Sequence, residues 1–198
     1  LPLDPIINTT PPAAPKIASF SNDSGVVGDG ITNDNTLTLT GTAVANSTVK
    51  VFDGTTQIGT ATANSSGAWS FTTAALADGA HSLTAKATDA AGLTSVASSA
   101  LAVKIDTVAP NAPSIAAPTN NASGGVNLTG TAEANSTVKI FDGTTQIGTA
   151  TANSSGAWNL STGALATGNH SFTAKAMDAA GNTGVASSVV PVTINSPA

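Results

Sequence analysis

Apolar and polar residues alternate with a period of two along most of the chain. Leu37 and Leu39 alternate with Thr38 and Thr40, and Val49 and Val51 with Thr48 and Lys50. Leu83, Ala85 and Ala87 alternate with Ser82, Thr84, Lys86 and Thr88; Leu101, Val103 and Ile105 alternate with Ala102 and Lys104. This spacing sends one set of side chains to a buried face and the other to solvent, as in a half-buried strand. Turn signals separate the runs: Asp53-Gly54, Ser66-Gly67, Asp78-Gly79 and Ala91-Gly92. No window shows a helical period. The pattern predicts seven strands in the first half, over 15–20, 36–44, 47–53, 56–64, 67–72, 80–88 and 95–105. Short strands with regularly spaced turns predict an all-β, antiparallel sandwich.

The same pattern then recurs. Residues 41–69 read GTAVANSTVKVFDGTTQIGTATANSSGAW, and residues 130–158 differ from them only at Val44/Glu133 and Val51/Ile140. The register carries Trp69 onto Trp158, His81 onto His170 and Asp89 onto Asp178. The entrances match too, NTTPPAAPKI at 8–17 with DTVAPNAPSI at 106–115. Two domains are therefore expected, 8–105 and 106–198, after a linker remnant at 1–7, with TVAP (107–110) as a short linker holding them in a restricted, extended arrangement. Trp69 and Phe71 are expected to anchor the first core, Trp158 and Leu160 the second. The first copy is nine residues longer, and the excess falls in SNDSGVVGDGITND, residues 21–34. That loop holds Asp23, Asp29 and Asp34, whereas APTNNASGG (117–125) holds no acid.

Composition narrows the function. The net charge is −5, with six lysines and no arginine, so phosphate neutralisation along a nucleic acid is excluded. No apolar run reaches the length of a membrane span, and no basic amphipathic stretch exists to lie on a bilayer. The absence of cysteine removes disulfides, thiolate metal sites and cysteine nucleophiles. The start, LPLDPIINTTPP, has neither the basic nor the apolar region of a signal peptide, so the chain is expected to be a piece of something longer. Abundant Thr, Ser, Ala, Gly and Asn point to an exported bacterial surface protein. Catalysis is not expected. His81 and His170 occupy one equivalent strand position, no G-x-S-x-G, P-loop or H-E-x-x-H occurs, and a filled sandwich offers no cleft between two carboxyls. Asp53, Asp78 and Asp142 read as turn residues. The N-x-S/T sequons at Asn46, Asn64, Asn135 and Asn153 follow from composition and are expected to stay unmodified.

The ordered set TGTAxANSTVKVFDG…IGTATANSSGAWSF…LADGAHSLTAKATDAAGLTS…VKIDTVAP, present twice, resembles the bacterial Ig-like repeats of large surface adhesins and biofilm-associated proteins. The resemblance covers nearly the whole chain. It implies two tandem immunoglobulin-like antiparallel β-sandwich domains of about seven strands each, secreted to the bacterial cell surface. Such a segment would be a stalk module in cell adhesion and biofilm formation, with neighbouring Ig-like repeats as partners and host or biofilm glycans or proteins met through other domains. Related repeats also serve as accessory carbohydrate-binding or spacer modules of secreted polysaccharide-degrading enzymes, which is the alternative reading. Phe52 and Phe141, out of phase with the valines, are the aromatics a sugar would stack on.

Similar repeats use loop and linker aspartates for Ca²⁺, a hard cation that takes oxygen ligands from flexible loops. Ig-type topology places the 21–34 loop and the linker Asp106 at one pole of the first domain, facing the 178–182 loop of the second. Asp23, Asp29, Asp34, Asp106 and Asp178 are therefore the expected Ca²⁺ ligands, with Asn33, Asn182 and Asp89 as weaker candidates. The loop is not an EF-hand, since Asp29-Gly-Ile-Thr-Asn33-Asp34 lacks that register and its terminal Glu.

Overall fold

The computed structural model describes residues 8–195, so the 1–7 segment lies outside the described residues. Two compact units divide at Thr107/Val108, Leu1–Thr107 and Val108–Ala198.

Unit 1 is a two-sheet sandwich. One sheet has the order β1-β3-β6, from Lys16–Ser21, Thr38–Thr42 and Ala68–Thr72. The other has the order β2-β8-β7-β4-β5, from Ile31–Thr32, Leu101–Ile105, Gly79–Thr88, Thr48–Asp53 and Thr56–Thr62. Every pairing is antiparallel except β2 with β8, which is parallel. The inward set of each alternating run meets in one core, with Leu37, Leu39, Val49, Val51, Leu83, Ala85 and Ile105 at 0% exposure. Trp69 completes that core, and Phe71 and Phe20 pack against it half-buried. The Trp69 ring lies where Gly41 has no side chain: a Cβ there would stand 2.6 Å from the ring and 2.0 Å from Lys16 O.

Unit 2 repeats the plan. One sheet has the order β13-β10-β9, from Ala157–Ser161, Val126–Thr131 and Thr119–Asn120. The other has the order β12-β11-β14-β15, from Thr145–Thr151, Thr137–Asp142, Gly168–Met177 and Val190–Ile194. Its core gathers Val126, Leu128, Val138, Ile140, Trp158 and Phe172, with Leu160 packed against them.

The structure adds two things to the periodic reading. The 21–34 loop contains a strand, β2, which a period-two pattern cannot register in two residues. The chain leaves β1 in one sheet and crosses to the edge of β8 in the other, where Lys104 N donates to Gly30 O (2.8 Å) and Asp106 N to Thr32 O (2.9 Å). Residues 95–100 are also irregular. The hydroxyl oxygens of Ser95 and Ser98 accept hydrogen bonds from Ala87 N and Ala85 N (both 3.0 Å), so side chains stand in for part of a backbone ladder.

These facts give the long loop a structural role. In unit 1, β2 covers the outer edge of β8. In unit 2, β15 ends its sheet order, and its second residue is Pro191 where unit 1 has Ala102. Proline removes a backbone donor and blunts an open edge. One copy thus seals its edge with an inserted strand, while the other protects it with a proline.

Candidate functional site

The acidic loop is braced by its own side chains. Asp34 Oδ1 accepts from the Thr36 amide (2.9 Å) and hydroxyl (3.0 Å), and Oδ2 from the amide and side-chain nitrogen of Asn22 (both 3.4 Å). Burial alone would raise this carboxyl, but the Thr36 and Asn22 donors outweigh it and hold it below its ordinary range. Asp29 Oδ1 accepts from Ile31 N (2.8 Å), and Asp23 Oδ2 accepts from Gly28 N. Thr32, fully buried, donates its hydroxyl hydrogen to Asn22 O. Asn33 donates its amide to Ser24 Oγ (2.8 Å).

Of the acids singled out in the sequence, Asp23 and Asp29 share one shallow concavity, with Phe20, Gly28, Gly30 and Ala102. Asp23 Oδ1 is buried there and takes no hydrogen bond. Asp34 is committed to Thr36 and Asn22 instead. Asp106 meets Lys104 Nζ at 3.2 Å. Asp178, in unit 2 and only 8% exposed, accepts from the amide and side-chain nitrogen of Asn182 (both 2.8 Å). Asp89 accepts from Ala91 N, Leu93 N and, at 2.8 Å, from Asn8 Nδ2. Among the described residues, no three His, Cys, Asp or Glu side chains gather where they could hold a metal ion. Of these acids, Asp23 alone keeps a buried oxygen without a hydrogen bond, and Asp29 lies beside it in the same concavity. Asp34, Asp89 and Asp178 brace their own loops through amide donors, and charged carboxylates so bonded lose little by staying charged.

The structure holds a second arrangement, which the reading of single motifs passed over. His81 Nδ1 lies 2.7 Å from Asp53 Oδ2, and its Nε2 lies 2.8 Å from the carbonyl oxygen of Ala77. His170 repeats this with Asp142 (2.6 Å) and Ala166 O (2.9 Å). Both partners of each ring are acceptors, an arrangement that favours the imidazolium, the form that donates from both nitrogens. For His81, burial pulls the pKa down, but the Ala77 carbonyl and the Asp53 carboxylate raise it above the ordinary value. For His170, the Asp142 carboxylate is the main cause of the rise, helped by Ala166 O. These rings tie each 77–81 or 166–170 corner to the neighbouring hairpin, where Asp53 and Asp142 also accept from Ser82 N and Ser171 N. The signal was available: each F-D-G turn is followed, at the same spacing in both copies, by a lone histidine.

The turn asparagines have local duties as well. Asn64 Oδ1 accepts from Ser66 N (2.9 Å) and Ala68 N (3.0 Å), and Asn153 does the same for Ser155 and Ala157. Asn46 and Asn135 take left-handed backbone angles, which asparagine tolerates better than most residues.

Comparison with known proteins then bears on the fold. The fibronectin(III)-like modules of Clostridium thermocellum CbhA match 89% of this chain and 94% of their own, with TM-score 0.53 and 19% identity. The BSP domain of a biofilm associated protein matches 93% of this chain and 30% of its own, with TM-score 0.37 and 22% identity. No curated protein matches the chain. The family model for the bacterial Ig-like domain matches twice, over residues 9–107 and 118–196. The chain therefore belongs to the bacterial Ig-like domain family, as two consecutive members of it.

Proposed function

We propose that the two units are a spacer segment of an extracellular bacterial adhesin, whose contribution to adhesion is folded length. The observation that carries this reading is the immediate succession of two complete sandwiches, each closed around its own core and each matching the same family. Their side chains support the same view. The carboxylates and imidazoles with the most partners are spent on bracing loops and corners, leaving little chemistry for turnover. Cell-surface location follows from the same reading, as does work in series with further repeats.

Ca²⁺ uptake by the acidic loop of unit 1 belongs to this proposal, stiffening the chain as it leaves that unit. Asp23 and Asp29 would be the first protein ligands. Backbone carbonyls and water would supply the rest of the roughly six to eight oxygens such an ion takes. The Asp34 and Asp106 braces would fix the loop around it.

Replacement tests the spacer role. In the surface protein that carries this segment, both units are exchanged for an unrelated pair of Ig-like domains of equal length. If reach is what they supply, cell attachment is retained after the exchange and lost after simple deletion. Attachment lost in both cases would overturn the reading.

A further inference from the structure

On the outer face of the larger sheet of each unit, two lysines stand directly opposite each other. Lys50 of β4 pairs with Lys86 of β7, and Lys139 of β11 pairs with Lys175 of β14. Like charges opposite one another in a ladder repel. Of the lysines, only Lys104 lies within salt-bridge distance of a carboxylate among the described residues, so none of these four ammonium groups has an acidic counter-charge there. The nearest acids by sequence are engaged elsewhere. Asp53 and Asp142 are held by His81 and His170, and Asp89 and Asp178 accept from their own loop amides. An acidic protein thus keeps the same positive spot in both copies.

Much of the surroundings is repeated, although Met177 stands in unit 2 where unit 1 has Thr88. Thr60 of β5 stands beside Lys50, and Thr149 of β12 beside Lys139. Phe52, half-buried, lies two residues along β4 from Lys50, and Lys86 Nζ sits 5.6 Å from its ring centroid. Phe141 holds the same register in unit 2. Most of the remaining outward residues of β4 and β7 are hydroxyl-bearing: Thr48, Ser82, Thr84 and Thr88, with Ala80 at the far end.

We infer that this face of each unit binds acidic polysaccharide, with the lysine pair taking a carboxylate and Phe52 or Phe141 stacking on an adjoining sugar ring. Two lysines on facing ladder positions without a counter-ion gain directly from one anion that both ammonium groups can reach. A flat apolar ring beside hydroxyls suits a pyranose face. A nucleic acid is the poorer match, because its closely spaced phosphates call for a longer stripe of Lys and Arg, and each face offers one pair. The site is independent of the spacer role and of the acidic loop.

The test is affinity electrophoresis and calorimetry of the intact chain against polygalacturonate, run in EGTA so that no calcium bridge contributes. Dextran is the neutral control, and a thymidine oligonucleotide is the nucleic-acid competitor. Saturable binding to polygalacturonate, weakened by NaCl and absent with dextran, is expected. Lys50→Gln, Lys86→Gln, Lys139→Gln and Lys175→Gln combined should weaken it about ten- to hundred-fold, the range for losing charge-assisted hydrogen bonds. Phe52→Leu with Phe141→Leu should weaken it while keeping its salt dependence. Lys16→Gln, on the other sheet, removes a like charge and should leave it unchanged. No binding, binding indifferent to the four lysines, an equal loss with Lys16→Gln, or tighter binding of the oligonucleotide would each overturn the proposal. Thermal melts of every variant separate lost contacts from lost fold.

Discussion

The double-acceptor clamp on each histidine makes stability depend on pH in a definable way. Take Asp142→Asn, which keeps the shape of the side chain and removes its charge. The pair is well shielded, with side-chain exposures of 11% for His170 and 24% for Asp142. A charge-assisted hydrogen bond in such a place is worth about 1.5–3 kcal/mol. For a domain of this size each kcal/mol moves Tm by roughly 4–8 °C, so the unit 2 transition should fall by about 10 °C at pH 6. The sign of the pH effect follows from the shifts. The His170 pKa is raised above its ordinary 6.5. Its contribution is therefore complete below 6.5 and lost as pH rises through the higher folded value. The Asp142 pKa is lowered below 3.8, so its contribution is present above 3.8 and lost as pH falls through the lower folded value. The clamp should be strongest between these limits. Calorimetric melts from pH 3 to 9 check this, with NMR of the imidazole nitrogens reporting both protons directly. A wild-type Tm that stays level from pH 6 to 9, or a His170→Gln variant with the same alkaline slope as wild type, would refute the reasoning.

Further outcomes follow from packing, charge and the loop. Gly41→Ala drives a methyl group against the Trp69 ring and Lys16 O and should cost about 1–3 kcal/mol in unit 1, typical of overpacking, read as a lowered first transition in calorimetry. Lys50→Gln relieves the pair with Lys86 and should raise the unit 1 Tm by the equivalent of about 0.2–1 kcal/mol, more at low salt than at high. Millimolar CaCl₂ should raise the unit 1 Tm over its value in EGTA, and Asp23→Asn should abolish most of that gain; an equal gain in the variant would remove Asp23 from the ligand set.

Long alternating runs were readable because each residue reports its face independently. Val49 and Val51 are buried, with Thr48, Lys50 and Phe52 turned outward, as a period of two requires. The 95–105 run was only half a strand, since Ser95 and Ser98 substitute their hydroxyls for backbone partners, a local exchange that alternation does not encode. The β2 strand was hidden for a different reason. Its pairing to β8 is long-range and parallel, and its two residues sit among glycines that look like loop. The acidic loop was correctly singled out as the feature separating the copies. Asp34 is taken up by the Thr36 and Asn22 donors, while Asp23 keeps a buried oxygen without a hydrogen bond, a difference that proximity in sequence does not encode. The histidines were placed on the right strand, but their partners, Asp53 and Asp142, lay a hairpin away and were read separately as turn residues.

The spacer role is tested most directly by pulling on the chain between its ends and recording force against extension. About 90 residues from Lys16 to Ile105, at ~3.3–3.6 Å each when extended, release roughly 270 Å once the folded length is subtracted. Two separate force peaks, each followed by an increment of about that size, are expected from two self-contained load-bearing units. A single rupture releasing both lengths together, or extension with no force peak, would contradict it.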